Sequence, residues 1–372
     1  MLNIDVSNNE KINFRIKSAS HVKFKIFVCS LRRNGLAIVF CLFCLCLVLF
    51  SKTNLVAAKN GLTLWATAVI PSLFPFFVAT ELLSYTNIVA FLGRLLNPIM
   101  RPLFNVPGEG AFALLMGLIS GYPVGAKIVS DFTQQGICTK EEAERMLAFT
   151  NNSGPLFIIG TVGITLFGST TIGLLLFITH VLACISVGIV LKFSSKNSSN
   201  SSNFTTQSFS SKKEKKSVTI SSLGELLGKS ITNSISTILM IGGFVVIFSV
   251  IISILNQSHL LDGLSNLLSP VFSFLGLPLD FIKPVLSGIV ELTNGVSLAA
   301  NIPIKTISIS IILCSFLLGF GGFSVLLQVF SIISKSGLSI KTYLIGKLLQ
   351  GFFASLYTFL ALQFIPFLQF NL

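Results

Sequence analysis

Ser120-Gly121-Tyr122-Pro123-Val124-Gly125-Ala126-Lys127 interrupts an otherwise apolar stretch, Gly110–Val129. Glycine and proline inside such a stretch stop an α-helix, one for want of a Cβ and the other for want of an N–H. In hydrocarbon the freed backbone groups find no water, so a break at membrane depth persists only where protein or a wet cavity covers it. Whether these flanks lie in a membrane is answered by composition. Of 372 residues, 52% are hydrophobic and 10% charged, and the mean hydropathy is +0.85. Soluble domains carry roughly 25% charged residues. The chain reads as an all-α, polytopic membrane protein.

Lys and Arg exceed Asp and Glu by 26 to 13. The surplus is placed as in cytoplasmic loops rather than as on a nucleic-acid-binding face. Lys11, Arg15, Lys17, Lys23, Lys25, Arg32 and Arg33 precede the first apolar run, and Lys212, Lys213, Lys215, Lys216 and Lys229 cluster near mid-chain. The cysteines form no framework: Cys41, Cys44 and Cys46 fall in an apolar run, and Cys29, Cys138, Cys184 and Cys314 are scattered. With no His at zinc spacing they read as small soft hydrophobes.

Residues 1–34 are then a basic cytoplasmic tail and 35–59 a transmembrane anchor. The run Gly35–Phe50 could also be a signal-peptide core before Val56-Ala57-Ala58, but its long basic leader and the later spans favour an uncleaved anchor. Downstream lie Leu62–Leu83, which holds Pro71 and Pro75, the amphipathic Ile88–Phe104, and the broken Gly110–Val129. The charged Asp131–Phe149 follows, where Thr139-Lys140-Glu141-Glu142 is a capping box, Gly136 a helix stop and Glu141–Arg145 an i,i+4 pair. It reads as a short helix at the membrane edge. Thr150–Gly163 and Ile164–Leu191 return to the membrane. A Ser/Asn/Lys-rich cytoplasmic linker spans 193–229. After it come Ser230–Leu255, the interfacial His259–Phe274, Phe281–Ala300, Ile307–Ile333 and Tyr343–Phe370. This amounts to about eight to ten membrane segments by the length rule, some of them re-entrant.

An internal repeat runs through these segments. Leu95-Leu96-Asn97-Pro98-Ile99 matches Leu267-Leu268-Ser269-Pro270-Val271, and each is followed by a second proline, Pro107 or Pro278. An apolar segment with a polar island comes next: 120–127 in one half, Glu291-Leu292-Thr293-Asn294-Gly295 in the other. A further break closes each half, Thr150-Asn151-Asn152-Ser153-Gly154-Pro155 and Gly319-Phe320-Gly321-Gly322-Phe323-Ser324. The repeats would occupy 60–192 and 230–372. Paired interruptions at matching positions point to the binding site of a secondary transporter.

Glu291 is an ionisable group inside an apolar run, which by default marks a functional site or a buried pair. Thr293 and Asn294 add polar groups to the same break. Lys127 either reaches a substrate anion or snorkels to the interface. Asn151, Asn152 and Ser153 precede Gly154-Pro155, where they cap a half-helix or surround a carboxylate. Tyr122 lies in the island between them. Glu109 reads as a helix-start carboxylate, and His180, with no acidic neighbour in sequence, as packing rather than a proton relay. No catalytic constellation or metal site is present, so an enzyme is not expected. Gly224-Glu225-Leu226-Leu227-Gly228-Lys229-Ser230 mimics a P-loop but has three residues between its glycines where four are needed.

Together the block 120–158 and Glu291-Leu292-Thr293-Asn294-Gly295 resemble the YlbJ (SpoVV) family of sporulation integral membrane proteins, which is related to nucleoside-recognition gate domains. The likeness runs from about residue 35 to the C-terminus and leaves out the linker. It implies two inverted structural repeats with broken helices and re-entrant hairpins. It also implies a place in the outer forespore membrane, moving dipicolinic acid from the mother cell. Carried over by position, Asn151, Asn152 and Ser153 of the first half and Glu291, Thr293 and Asn294 of the second would form the site. Dipicolinate is a planar dianion, suited to half-helix N-termini, amides and Lys127. Glu291 is awkward beside it and is expected to bind a coupling H⁺ or Na⁺. No other cofactor is expected; the partners are membrane lipid and the substrate, with no nucleic acid and a homo-oligomer left open. Two alternatives stand beside this reading: a nucleoside or heterocycle carrier, and a non-transporting scaffold for the spore envelope.

Overall fold

A computed structural model describes residues 34–193, 220–274, 276–302 and 307–364. The basic tail and most of the linker lie outside the described residues. Those described are helical, with no strand among them. The chain divides into two compact units, residues 1–55 and 56–372.

In the first unit, helix α1 (Asn34–Leu49) coincides with the expected anchor and exposes most of its apolar side chains. It is followed by the start of α2 (Ser51–Leu64), where Asn54 Nδ2 donates to the Cys46 carbonyl at 3.1 Å. The described cysteines are free thiols.

In the second unit, α2 continues through a π-helical stretch, Trp65–Val69, into α3 (Ile70–Ser84). Pro71 and Pro75 remove two backbone donors, and the widened turn ahead of them keeps the helix continuous. The amphipathic α4 (Ile88–Phe104) buries Val89, Gly93, Met100 and Phe104, and stops at Asn105 in the left-handed region. Then come α5 (Gly110–Ser120), α6 (Val124–Gln134), α7 (Lys140–Thr150), a π-helix (Leu156–Leu166) and α8 (Thr170–Phe193). Glu109 stands at the N-cap of α5. Beyond the linker run α9 (Ile220–Gln257), α10 (Leu260–Phe274), α11 (Ile282–Val290) and α12 (Leu292–Ala300), and after them α13 (Ile307–Phe320), α14 (Gly322–Ile333) and α15 (Ile340–Phe364). The order of elements therefore repeats: α4 with α10, α5–α6 with α11–α12, α7 and the π-helix with α13–α14, and α8 with α15.

Two boundaries differ from the sequence reading. Helix α9 starts at Ile220, inside the stretch read as linker, so the P-loop-like residues 224–230 are helical and form no phosphate cradle. Ile164–Leu191 is not one span: Gly168, at φ +66°, turns the chain between the π-helix and α8. Helix α7 does begin with the capping box, Thr139 and Glu142 satisfying each other's backbone N–H groups. Its last turn, from Met146 to Thr150, is buried within the protein.

Among the described residues, four helices are long and apolar enough to cross a membrane: Thr170–Phe193, Leu223–Gln257, Ile307–Ser336 and Ile340–Phe364. Counting the bent pairs Asn34–Leu49 with Ser51–Thr67, and Leu73–Ser84 with Ile88–Phe104, as one span each raises the number to six. The larger sequence count came from half-helices such as α5 and α11, with 11 and 9 residues, too short to cross alone.

The buried side chains form two clusters that do not follow the halves. One joins α4–α7 of the first half to α9 and α14 of the second. The other joins the π-helix and α8 to α12, α13 and α15.

Candidate functional site

The breaks pack against each other, backbone on backbone. Gly121 sits at φ +84°, and a Cβ there would lie 2.9 Å from the Gly154 N. A Cβ on Gly117 or Gly125 would fall 1.8 or 2.2 Å from the Thr150 carbonyl oxygen. Only glycine permits that approach. The second half repeats the device: a Cβ on Gly295 would lie 2.1 Å from the Gly288 Cα, and one on Gly322 would meet the Gly288 carbonyl oxygen at 2.9 Å.

At the first-half crossing, Asn151, Asn152 and Ser153 are buried. Ser153 Oγ is bonded to the Tyr122 hydroxyl, next to the cis Tyr122–Pro123 bond. Asn151 Nδ2 donates to the Tyr343 hydroxyl at 2.8 Å, and the Ser153 N–H donates to His180 Nε2 at 3.3 Å. The ring nitrogen that accepts cannot carry a proton, so His180 is neutral with its hydrogen on Nδ1. Lys347, fully buried on α15, donates to the Asn151 carbonyl and to Gln350 Oε1 at 2.8 Å. Gln350 Nε2 donates in turn to Asn152 Oδ1 at 2.7 Å and lies 3.4 Å from His180 Nε2. Asn152 Nδ2 ends the chain on the Phe149 carbonyl at 2.8 Å. Both ends set the polarity, since an ammonium only donates and a carbonyl only accepts; every amide between them is thereby oriented.

At the second-half break Glu291 serves as N-cap of α12. Its carboxylate accepts from the Thr293 N–H at 3.0 Å, and from the Asn294 N–H and Nδ2 at 2.9 Å each. Those contacts place a negative charge at the positive end of a half-helix. The neighbouring break between α13 and α14 brings this cluster towards the Tyr122 ring, since a Cβ on Gly322 would lie 3.2 Å from the Leu292 N. Gly321 adjoins the same ring, a Cβ there falling 3.8 Å from Tyr122 Cε1.

The structure thus gathers Tyr122, Asn151, Asn152 and Ser153 into one network, with Glu291, Thr293 and Asn294 in a second cluster near Tyr122. Lys127 is in neither. Its ammonium pairs with Glu81 of α3 at 2.8 Å, and Glu81 also accepts from Asn233 of α9 at 2.8 Å. It neither reaches the network nor snorkels; it ties α6 to two scaffold helices.

Sequence reasoning missed Lys347, Gln350 and Tyr343, and read His180 as packing. The signal for the first three was available: Tyr343, Lys347, Gln350, Ala354 and Thr358 recur at helical spacing along an otherwise apolar span, and all are buried. Thr358 extends the stripe, its hydroxyl hydrogen-bonded to Thr179 of α8 at 3.0 Å and to Ser315 of α13 at 2.8 Å.

The Gate family, described as nucleoside recognition, matches residues 66–198 and 238–339. The match ends just before α15, so Lys347 and Gln350 lie outside it. The sporulation integral membrane protein YlbJ of Bacillus subtilis (strain 168) is 39% identical over 312 residues, covering 82% of this chain and 76% of that protein. No solved structure matches. A helical membrane chain whose glycine-crossed breaks fall within those matched stretches, at this level of identity to YlbJ, belongs to the Gate family and, within it, to the YlbJ family of integral membrane proteins.

Proposed function

We propose that the chain is a secondary carrier for a small planar dicarboxylate, dipicolinate, acting during endospore formation in the outer forespore membrane. One observation carries this reading: a buried network of amides, two tyrosines and a single ammonium is built where two helix breaks cross. A scaffold gains nothing from polar groups at membrane depth, since each must be satisfied at a cost in folding free energy. A carrier needs them. The only formal charge in the network is positive, as an anionic substrate requires, and nothing in it is arranged for covalent chemistry. The repeated order of elements supports two inverted repeats, whose broken helices would alternate the site's access between the two sides.

The name of the Bacillus subtilis relative supports the sporulation role. The test is dipicolinate in mother cell and forespore after deletion of the gene. Dipicolinate that is made but retained in the mother cell is the expected outcome; a normally filled forespore would overturn the proposal. The nucleoside-recognition description of the matched family favours one competing reading, a nucleoside carrier. Labelled dipicolinate uptake into proteoliposomes separates them, since excess nucleoside should leave it unchanged.

A further inference from the structure

We propose that the Lys347 ammonium is a tethered substitute for a coupling sodium ion, so that the carrier works without Na⁺. The inference rests on the carrier reading above and on the atoms around Nζ. Its hydrogen-bond partners are oxygens: the backbone carbonyl of Asn151, where α7 ends, and the side-chain carbonyl of Gln350. Unwound carbonyls and half-helix C-termini are where carriers of this general construction hold monovalent cations. The partial negative charge of the α7 C-terminus adds to the same attraction.

Two further features suit a resident cation. The Tyr122 and Tyr343 rings have their centroids 6.0 and 5.8 Å from Nζ, at cation–π distance, and stand in for part of its hydration shell. No carboxylate neutralises the charge, because the four ion pairs among the described residues leave Lys347 out. A buried charge without a counter-ion is costly, and an anionic substrate would supply the missing partner. The ammonium is also held in place. A Cβ on Gly346 would lie 2.6 Å from the Ala148 Cβ, and one on Gly351 2.9 Å from the Phe316 carbonyl oxygen, so α15 sits flush against α7 and α13 on both sides of Lys347. The cation therefore cannot leave with the substrate, as a free sodium ion would.

The test compares NaCl with choline chloride at equal ionic strength, using the full-length chain in detergent and in proteoliposomes. For the wild type, neither melting temperature nor dipicolinate uptake should distinguish the two salts. In Lys347→Ala, which leaves the oxygens and removes the ammonium, Na⁺ should raise the melting temperature saturably where choline does not. Uptake by that variant should be about tenfold faster in Na⁺ than in choline, within the usual range of coupling between sites. Methylammonium should also restore it. Sodium stimulation of the wild type would overturn the proposal without any variant. So would a Lys347→Ala or Lys347→Gln protein indifferent to both Na⁺ and methylammonium. If the wild type carries no dipicolinate in either salt, the substrate assignment fails instead, and the melting comparison still decides the cation site.

Discussion

The two halves solve the same problem with opposite charges. At the end of α7, the first-half break presents carbonyl oxygens and receives an ammonium from Lys347, on a helix 196 residues away in sequence. At the start of α12, the second-half break presents N–H groups and receives a carboxylate from Glu291, two and three residues away. Each half-helix end is met by the charge its dipole favours. The difference lies in reach: one plug is local and caps its own helix, while the other comes from the opposite half of the chain. Where a break is closed from outside, the closure depends on how two helices pack; where it is closed from within, the cap travels with its helix.

Substitutions can break this comparison at several strengths. The largest effect is expected at the crossings themselves. Gly117→Ala would press a Cβ onto the Thr150 carbonyl, and such overpacking against rigid backbone exceeds about 3 kcal/mol. Gly295→Ala should behave alike in the second half. Gly243→Ala, with no atom within 4 Å of its added carbon, should leave folding intact. Size-exclusion profiles and melting temperatures of the detergent-solubilised protein check all three.

Removal of the first-half linkage comes next. Gln350→Ala strips a partner from both Lys347 and Asn152, and burial of those unmet groups should cost about 3 kcal/mol in stability. Transport should fall with it, read as uptake per folded protein. Glu291→Ala in the local cap should cost about 1–2 kcal/mol by melting. Glu291→Gln keeps an acceptor and should carry substrate near the wild-type rate across pH and Na⁺ concentration. A Glu291→Gln protein that folds but transports far below the wild-type rate would support the coupling role expected of the carboxylate from sequence. Smallest is Thr139→Ala, which removes the cap at the end of α7 opposite the first-half break. About 1 kcal/mol of stability should go, with transport unchanged.

The same contrast explains what could be read from sequence. Glu291, Thr293 and Asn294 lie within one helical turn, and a carboxylate inside an apolar run announces itself. The capping box at Thr139 and the stop at Gly136 were legible for the same reason: every atom involved is local. Lys347 obeyed the rule that singled out Glu291, yet no proline, glycine island or repeat partner drew attention to a span that is unbroken. That it meets Asn151 is a matter of how α15 lies across α7, which no local pattern encodes. Lys127 shows the converse. Its place beside Gly125 pointed to the break, while Glu81 and Asn233, from helices outside the motif, took its charge. The start of α9 within the linker was hidden by composition, because Ile220 and Leu223 follow a lysine-rich run that is polar enough to mask a helix.

Tyr122 packs against both buried clusters, bonded through its hydroxyl to Ser153 and flanked by Gly321. If one cluster rocks past the other, the surfaces slide over this aromatic face, and the ring would serve as a bearing. A fluorine label on it would report such a motion from the inside.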